Sequence, residues 1–201
     1  MTGQRLPALG SLILLITACT SAPVHFHTLV PAPEAANGGP PSSVASGVIV
    51  EAVKIPAQVD RIEMVVRQNN GEIAVLNNEL WIAPLPDELQ SALSGDIHRQ
   101  LRIAAAMGAP VPQEISIRVV VERFESAPSH YALIDASWEI RANTSTQKIR
   151  LWCASHAYEP VGDGYVALER GHQRAVALIS DQIATAVKGL KTENASACPL
   201  T

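Results

Sequence analysis

The order of hydrophobic patterns along the chain constrains its fold more than any other feature of the sequence. Residues 48–85 hold several β-branched segments and are followed by an apolar stripe with a spacing of four, and residues 115–187 repeat this order. Such segments predict strands, and the stripes predict amphipathic helices. We therefore expect an α+β fold in the order strands, helix, strands, helix, with a mainly antiparallel sheet and two amphipathic helices packed on it.

The first half contains three predicted strands and a helix. The strands cover residues 48–53, 62–67 and 72–76. Asn70-Gly71 lies between the second and third, and Asn-Gly favours the positive φ angles of a tight hairpin turn. The following stripe consists of Leu89, Leu93, Ile97 and Leu101. Because Pro86 and two acidic residues precede it, we expect a helix from about Pro86 to Ala105.

The second half repeats this arrangement with longer alternating segments. Strands are predicted over residues 115–122, 131–140 and 149–153. Glycines at 162 and 164 then turn the chain. A final apolar stripe predicts a helix from Tyr165 to about Gly189.

The amino-terminal residues have the pattern of a secretory leader. Arg5 precedes a run of roughly eleven apolar residues, which as a helix spans about 16 Å and is too short for the roughly 30 Å hydrocarbon core. We therefore expect residues 1–18 to be a signal peptide. The run ends in Ile16-Thr17-Ala18-Cys19, which resembles a lipobox, so we expect diacylglycerol on Cys19. The alternative is an ordinary leader with a chance cysteine. Thr20, where Asp would favour the inner membrane in enteric-type bacteria, predicts the outer membrane, with the chain lipid-anchored on its periplasmic face.

A Pro-, Ala-, Gly- and Ser-rich composition marks most of residues 20–47, which predicts a tether. We expect the lipidated cysteine, a short strand and this tether to occupy residues 19–47, and one periplasmic domain to occupy residues 48–201. The chain is 47% hydrophobic and 17% charged, which suits a packed domain. Its net charge of −4 includes no basic block, so no nucleic-acid partner is expected.

Four histidines are candidate metal ligands. His25 and His27 lie in the predicted short strand, where alternate residues share a face. They are interpreted either as a metal pair or as surface-facing residues, and because two ligands do not make a site, no metal is expected. His98 and His172 lie on the predicted helices and are interpreted as surface or boundary residues.

The sequence lacks common catalytic motifs, which matters because an envelope lipoprotein can also be a hydrolase. G-x-S-x-G, H-E-x-x-H, G-x-x-x-x-G-K-[ST] and C-x-x-C are absent from the sequence. Cys153 and His156 are three residues apart in a predicted strand and therefore point to opposite faces. Ser129, His130 and Asp135 lack a nucleophile elbow and are interpreted as a turn and a strand. No catalytic residue, enzymatic activity or cofactor is expected.

The cysteine count suggests a disulfide. If lipid occupies Cys19, Cys153 and Cys198 remain, and the periplasm is oxidising. The alternative is a buried Cys153 and a free Cys198 on a frayed terminus.

Three segments carry a resemblance to a known family. They are residues 53–61 (VKIPAQVDR), residues 77–85 (NNELWIAPL) and the Tyr165-Val166-Ala167-Leu168 helix start. With the lipobox, they resemble the PqiC family of ABC-type transport auxiliary lipoproteins. Here the family's early Y-x-L strand reads His27-Thr28-Leu29, and Ile82 stands between Trp81 and Ala83.

The resemblance implies a non-enzymatic function and a set of partners. It implies an outer-membrane accessory subunit, held in the bilayer by its acyl chains, that meets an MCE-domain periplasmic protein and inner-membrane transporter components. Such a system moves phospholipids or other hydrophobic molecules and supports envelope integrity, and ring-shaped homo-oligomers are compatible with it. Candidate partner-docking residues are Trp81, Pro84, Asp60 and Arg61, and a core position is the alternative for Trp81. A free-standing envelope binding lipoprotein or hydrolase is the alternative function.

Overall fold

A computed structural model describes residues 22–32, 47–101, 115–143, 148–190 and 198–199 of the chain. In chain order the strands and helices are β1 His25–His27, β2 Val48–Val50, β3 Glu63–Arg67, β4 Ile73–Trp81, α1 Leu85–Leu101, β5 Ile115–Ala127, β6 Tyr131–Asn143, β7 Lys148–Pro160 and α2 Tyr165–Gly189. The α+β prediction and its order of strands and helices are confirmed. The predicted continuation of α1 beyond Leu101 and the predicted leader with Cys19 lie outside the described residues.

The strands form two sheets rather than the single sheet expected from the sequence. The smaller sheet has the order β1-β4-β3, and the larger has the order β2-β5-β6-β7. In each, one short strand from the first part of the chain pairs in parallel at the edge, β1 with β4 and β2 with β5, while the remaining pairs are antiparallel. In sequence, helix α1 lies between the antiparallel pair β3–β4 of the smaller sheet and the antiparallel strands β5, β6 and β7 of the larger sheet.

The predicted hairpin connects β3 and β4. Gly71 has a φ of 84°, a conformation that glycine adopts without steric cost, and the Glu72 amide donates to the Asn70 side chain at 3.0 Å. Met64 lies opposite Leu76 in the register, and a register shift between Glu63 and Met64 interrupts the pairing. The hairpin prediction is confirmed.

Both predicted helix stripes face the hydrophobic core. All four residues of the α1 stripe are buried, and α2 buries one face along most of its length. The two helices pack against each other, and α2 also packs on β6 and β7. The largest fully buried side chains are Trp81, Trp138, Leu29, Met64, Leu85, Leu89, Leu93, Ile97, Ile117, Ile134, Ile140 and Leu168.

A disulfide links the carboxy-terminal segment to the larger sheet. Cys153 on β7 is bonded to Cys198, with their Cα atoms 5.6 Å apart. Of the two alternatives drawn from the cysteine count, the structure therefore contains the bridge. The closed loop spans 45 positions and includes all of α2, so it restricts the unfolded chain strongly.

Removal of this bridge tests its contribution to stability. In the chain-entropy model, closing a loop of this size stabilises a protein by about 4 kcal/mol. We expect Cys198→Ser to lower the free energy of unfolding by up to that amount in urea denaturation. The wild-type protein under reducing conditions is the matched control and should unfold at the same urea concentration as the variant. An unchanged midpoint in both would show that the bridge does not stabilise the fold.

Candidate functional site at strand β1

Strand β1 is held in the smaller sheet beside the central strand β4. His25, Phe26 and His27 lie opposite Glu79, Leu80 and Trp81 in a parallel register. The Ile82 amide donates to the His27 carbonyl at 2.9 Å, which extends the pairing past the end of β4. Because strand side chains alternate, both histidines lie on the Glu79 side and Phe26 lies on the opposite side.

His27 is buried between two carboxylates. Its Nε2 lies 2.6 Å from Glu79 Oε2 on β4, and its Nδ1 lies 2.8 Å from Glu169 Oε2 on α2. The His27 side chain is only 4% exposed. Carboxylates on two different elements therefore face one ring, and the two contacts join β1 to β4 and α2 at once.

Glu79 also accepts from His25, whose Nδ1 lies 2.8 Å from Oε1. Burial alone would raise the pKa of Glu79. The hydrogen bonds from His27 and His25, together with their charges, outweigh burial and hold the pKa of Glu79 below its ordinary value. Glu79 is therefore ionised at neutral pH, which strengthens its bonds to β1.

The two residues after β1 are fixed by both helices. The Thr28 hydroxyl donates to Glu88 Oε2 at 2.7 Å, and the Leu29 amide donates to the same oxygen at 2.8 Å. Gln173 on α2 donates to the Thr28 carbonyl at 2.9 Å. The β1 cluster is defined here as His27, Thr28 and Leu29 together with Glu79, Glu88, Glu169 and Gln173. It ties the segment before the Pro/Gly/Ser-rich stretch to three different elements.

For His25 and His27, the sequence allows either a metal pair or surface-facing residues that share a face. The shared face is confirmed, but His27 is buried rather than surface-facing. The alternation of strand side chains was enough to predict that the two histidines share a face. It could not predict the contacts of His27 with Glu79 and Glu169, because both glutamates are distant in sequence. No group of three or more side chains suited to bind a metal occurs within the described residues.

Trp81 lies in the core beneath the β1 cluster. It is 1% exposed and makes edge contacts with His27, Phe124 and His172 at ring-centroid distances of 6.1 to 6.4 Å. Of the two positions that the sequence left open for Trp81, the structure contains the core one, so Trp81 is removed from the candidate docking residues because an enclosed ring cannot meet a partner. The other three candidates, Pro84, Asp60 and Arg61, are exposed. The Pro84 carbonyl accepts from two amides of the first turn of α1, and Asp60-Arg61 form the turn into β3.

His172 is fully buried, which corrects its interpretation as a surface or boundary residue. Its Nε2 lies 2.7 Å from the Ser126 hydroxyl, and its ring stacks on Phe124 at 4.2 Å. Burial lowers the pKa of His172 to about 3, so the ring is neutral. The helical spacing from Leu168 through His172 to Ala175 places His172 on the buried face, and this spacing was the sequence signal that could have predicted its burial.

His98 is half-buried and contacts the Val48 carbonyl.

The Ser–His pair that the structure brings together, Ser126 with His172, is closed to substrate because both side chains are buried. His172 Nδ1 has no partner among the described residues. Cys153 is bridged and buried, while His156 points to the other face and contacts Asp135 at 2.5 Å, as the alternation predicted. Ser129 and His130 form a turn in which His130 contacts Asn69, away from Asp135.

Neither α1 nor α2 has both the length and the apolar character of a bilayer-spanning segment, and no further helix in the described residues has them.

Solved structures share this fold. One crystal structure, described as that of an uncharacterized protein, superposes with a TM-score of 0.60 at 21% sequence identity and covers 83% of this chain and 99% of its own. The crystal structure of a Xanthomonas campestris protein of the family DUF330 superposes with a TM-score of 0.61 at 17% identity, covering 85% of this chain and 98% of its own. None of the curated proteins compared matches the sequence significantly.

The sequence places the chain in a class of lipoproteins that assist transport. The family model described as "ABC-type transport auxiliary lipoprotein component" matches residues 27–184. The chain belongs to this family, and the resemblance stated from its motifs is confirmed. The match begins at His27, so it includes the β1 cluster.

Substitution of His27 tests the β1 cluster. His27→Ala leaves buried Glu79 and half-buried Glu169 without their common partner, and leaving such polar groups unpaired costs about 1 to 3 kcal/mol. Urea denaturation should show this loss. His25→Ala is the matched control, because the His25 side chain is largely exposed and its removal should cost no more than about 1 kcal/mol. Equal effects of the two substitutions would contradict the assigned role of His27.

The buried His172 predicts a pH dependence. Its folded pKa lies below its ordinary value of 6.5, so between pH 6.5 and about 3 the unfolded chain binds a proton that the folded chain does not. Stability therefore falls as the pH drops through this window, by up to about 1.4 kcal/mol per pH unit. His172→Gln should be less stable at pH 7 but lose less stability between pH 6.5 and 4.5 in urea titrations. Parallel pH profiles for the two proteins would contradict this assignment.

Proposed function

We propose that this protein is a lipid-anchored outer-membrane accessory subunit of an MCE-type system that moves phospholipids or other hydrophobic molecules between membranes. Membership of the transport auxiliary lipoprotein family supports the general role. The observation that carries the proposal is the fixing of β1 into the folded body, six positions after Cys19. A protein anchored in this way works at the membrane surface.

The proposed organisation is a signal peptide over residues 1–18, a lipidated segment over 19–47 and a periplasmic domain over 48–201. Residues 25–29 of the middle segment dock on the body through the β1 cluster. From Cys19 to His25 the chain can reach at most about 21 Å when fully extended. The acyl chains on Cys19 therefore hold the body close to the periplasmic leaflet of the outer membrane.

Protein partners are proposed on the same basis. A periplasmic MCE-domain protein and inner-membrane transporter components are the proposed contacts, and further copies of this chain, arranged as a ring, are compatible with them. The exposed candidates for docking are Pro84, Asp60 and Arg61. The role is proposed to be non-enzymatic, because the Ser126–His172 pair lies in the core and is closed to substrate.

The alternative is a free-standing envelope binding lipoprotein or hydrolase. A groove between β3 and β5, beside Arg61 and Phe124, has a volume of about 510 Å³ and would have to hold the substrate. Its lining includes arginines and the carboxylates Glu122 and Glu125 but no serine–histidine or cysteine–histidine pair. Turnover of a lipid or peptide by the purified protein would favour this alternative.

Substitution of the predicted lipid site tests the anchor. We expect Cys19→Ala to abolish lipidation and release the protein from the outer-membrane fraction, because the periplasmic body would then lack its acyl chains. Thr20→Asp is the matched control in an enteric-type host: it keeps the lipid and should move the protein to the inner membrane. Intact-mass measurement of the mature chain and membrane fractionation report the two effects. Retention of Cys19→Ala in the outer membrane would contradict the anchor.

The partner proposal has a separate readout. Affinity purification of the wild-type protein from solubilised membranes should recover an MCE-domain protein, and Cys19→Ala should recover less. Recovery of no such partner by the correctly lipidated wild type would contradict the transport role while leaving the anchor intact.

A further inference from the structure

The outer side of the β1–β4 pair carries exposed apolar side chains. Phe26 is 60% exposed, Ile82 is 62% exposed and Val24 is 48% exposed. Phe26 lies opposite Leu80 in the register, and Ile82 is two positions further along the same direction. Because alternate strand residues share a face, Phe26, Leu80 and Ile82 lie together, with Val24 beside them at the entry to β1. These four residues are called the apolar patch.

The apolar patch lies on the side of the smaller sheet that faces away from the core. The other side of the same strands carries His27, Glu79 and Trp81, which are buried under the helices and the larger sheet. Val24, Phe26 and Ile82 are exposed with all the described residues in place, and Leu80 between them is half-buried. Glu63, which is half-buried opposite Leu80, borders the patch on β3. Exposed large apolar side chains grouped in this way are typical of interaction surfaces.

The position of the apolar patch along the chain places it near the proposed lipid anchor. Phe26 is seven positions after Cys19, a distance of at most about 25 Å when fully extended. Val24 is nearer still. An aromatic ring flanked by aliphatic side chains is suited to the boundary between lipid headgroups and acyl chains. The patch is therefore the exposed apolar surface nearest in sequence to the proposed lipid anchor.

We propose that the apolar patch lies against the phospholipid surface of the membrane that holds the acyl chains. This inference rests on the proposed lipidation of Cys19. The β1 cluster then has a second consequence: by fixing β1 to both helices, it fixes the orientation of the whole body relative to the bilayer.

Tryptophan fluorescence with brominated lipids tests the patch. The lipidated full-length protein is reconstituted into phosphatidylethanolamine and phosphatidylglycerol vesicles, some of which carry bromine on the acyl chains as a contact quencher. The probe is Phe26→Trp in a Trp152→Phe background, and Ile82→Trp in the same background is a second probe. The matched control is the wild type, since Trp152 is 61% exposed but lies on β7 of the other sheet. Trp81 and Trp138 are buried in all three proteins.

The result expected is a loss of fluorescence on brominated lipid at least about twofold larger for both probes than for the wild type, because an interfacial ring meets the acyl chains. Equal quenching in probes and wild type, with the proteins floating with the vesicles, would overturn the patch proposal and leave the anchor standing. Crosslinking of Phe26 to a second copy under these conditions would assign the patch to an oligomer and also overturn it. Failure of the wild type to float with vesicles would overturn the anchor and the patch together.

Discussion

The buried ring of His27 is the interaction on which the placement of the amino-terminal segment depends. A histidine with a carboxylate at each nitrogen is stable in a protein interior because both of its polar nitrogens have hydrogen-bond partners. Strand β1 has only three residues, so its backbone pairing with β4 would hold it weakly. The side-chain bonds of the β1 cluster to β4, α1 and α2 supply the additional stabilisation, and Leu29 adds a fully buried side chain.

This placement bears directly on the proposed lipidation of Cys19. The Pro/Gly/Ser-rich stretch follows β1 in sequence, so it connects two parts of the folded body instead of separating the body from the membrane. Five residues separate Cys19 from β1. Under the proposed lipidation of Cys19, the body is therefore held close to its bilayer, and the contacts that stabilise β1 restrict its orientation. These properties suit a subunit that presents a fixed surface to other envelope components.

The sequence predicted the parts of the fold that depend on local pattern. The α1 stripe, the Asn70-Gly71 hairpin and the start of α2 follow from residues a few positions apart, and all three are confirmed. The division into two sheets and the β1 cluster depend on long-range contacts. Glu79 and Glu169 lie 52 and 142 positions from His27, and no local periodicity connects them. The sequence left the position of Trp81 open and wrongly predicted His172 at the surface or boundary. The burial of these two rings depends on their contacts with each other and with Phe124, which are long-range.

The most direct test of this account is amide hydrogen exchange of the lipidated protein at residues 27–29. The Leu29 amide donates to buried Glu88, so its exchange should require the same opening as the amides of β4 and proceed at a similar free energy. Wild-type and Cys19→Ala proteins should agree, because the β1 cluster belongs to the fold and not to the lipid. Rapid exchange at Leu29, at the rate of an unstructured peptide while β4 remains protected, would contradict the central claim that β1 is a fixed part of the body.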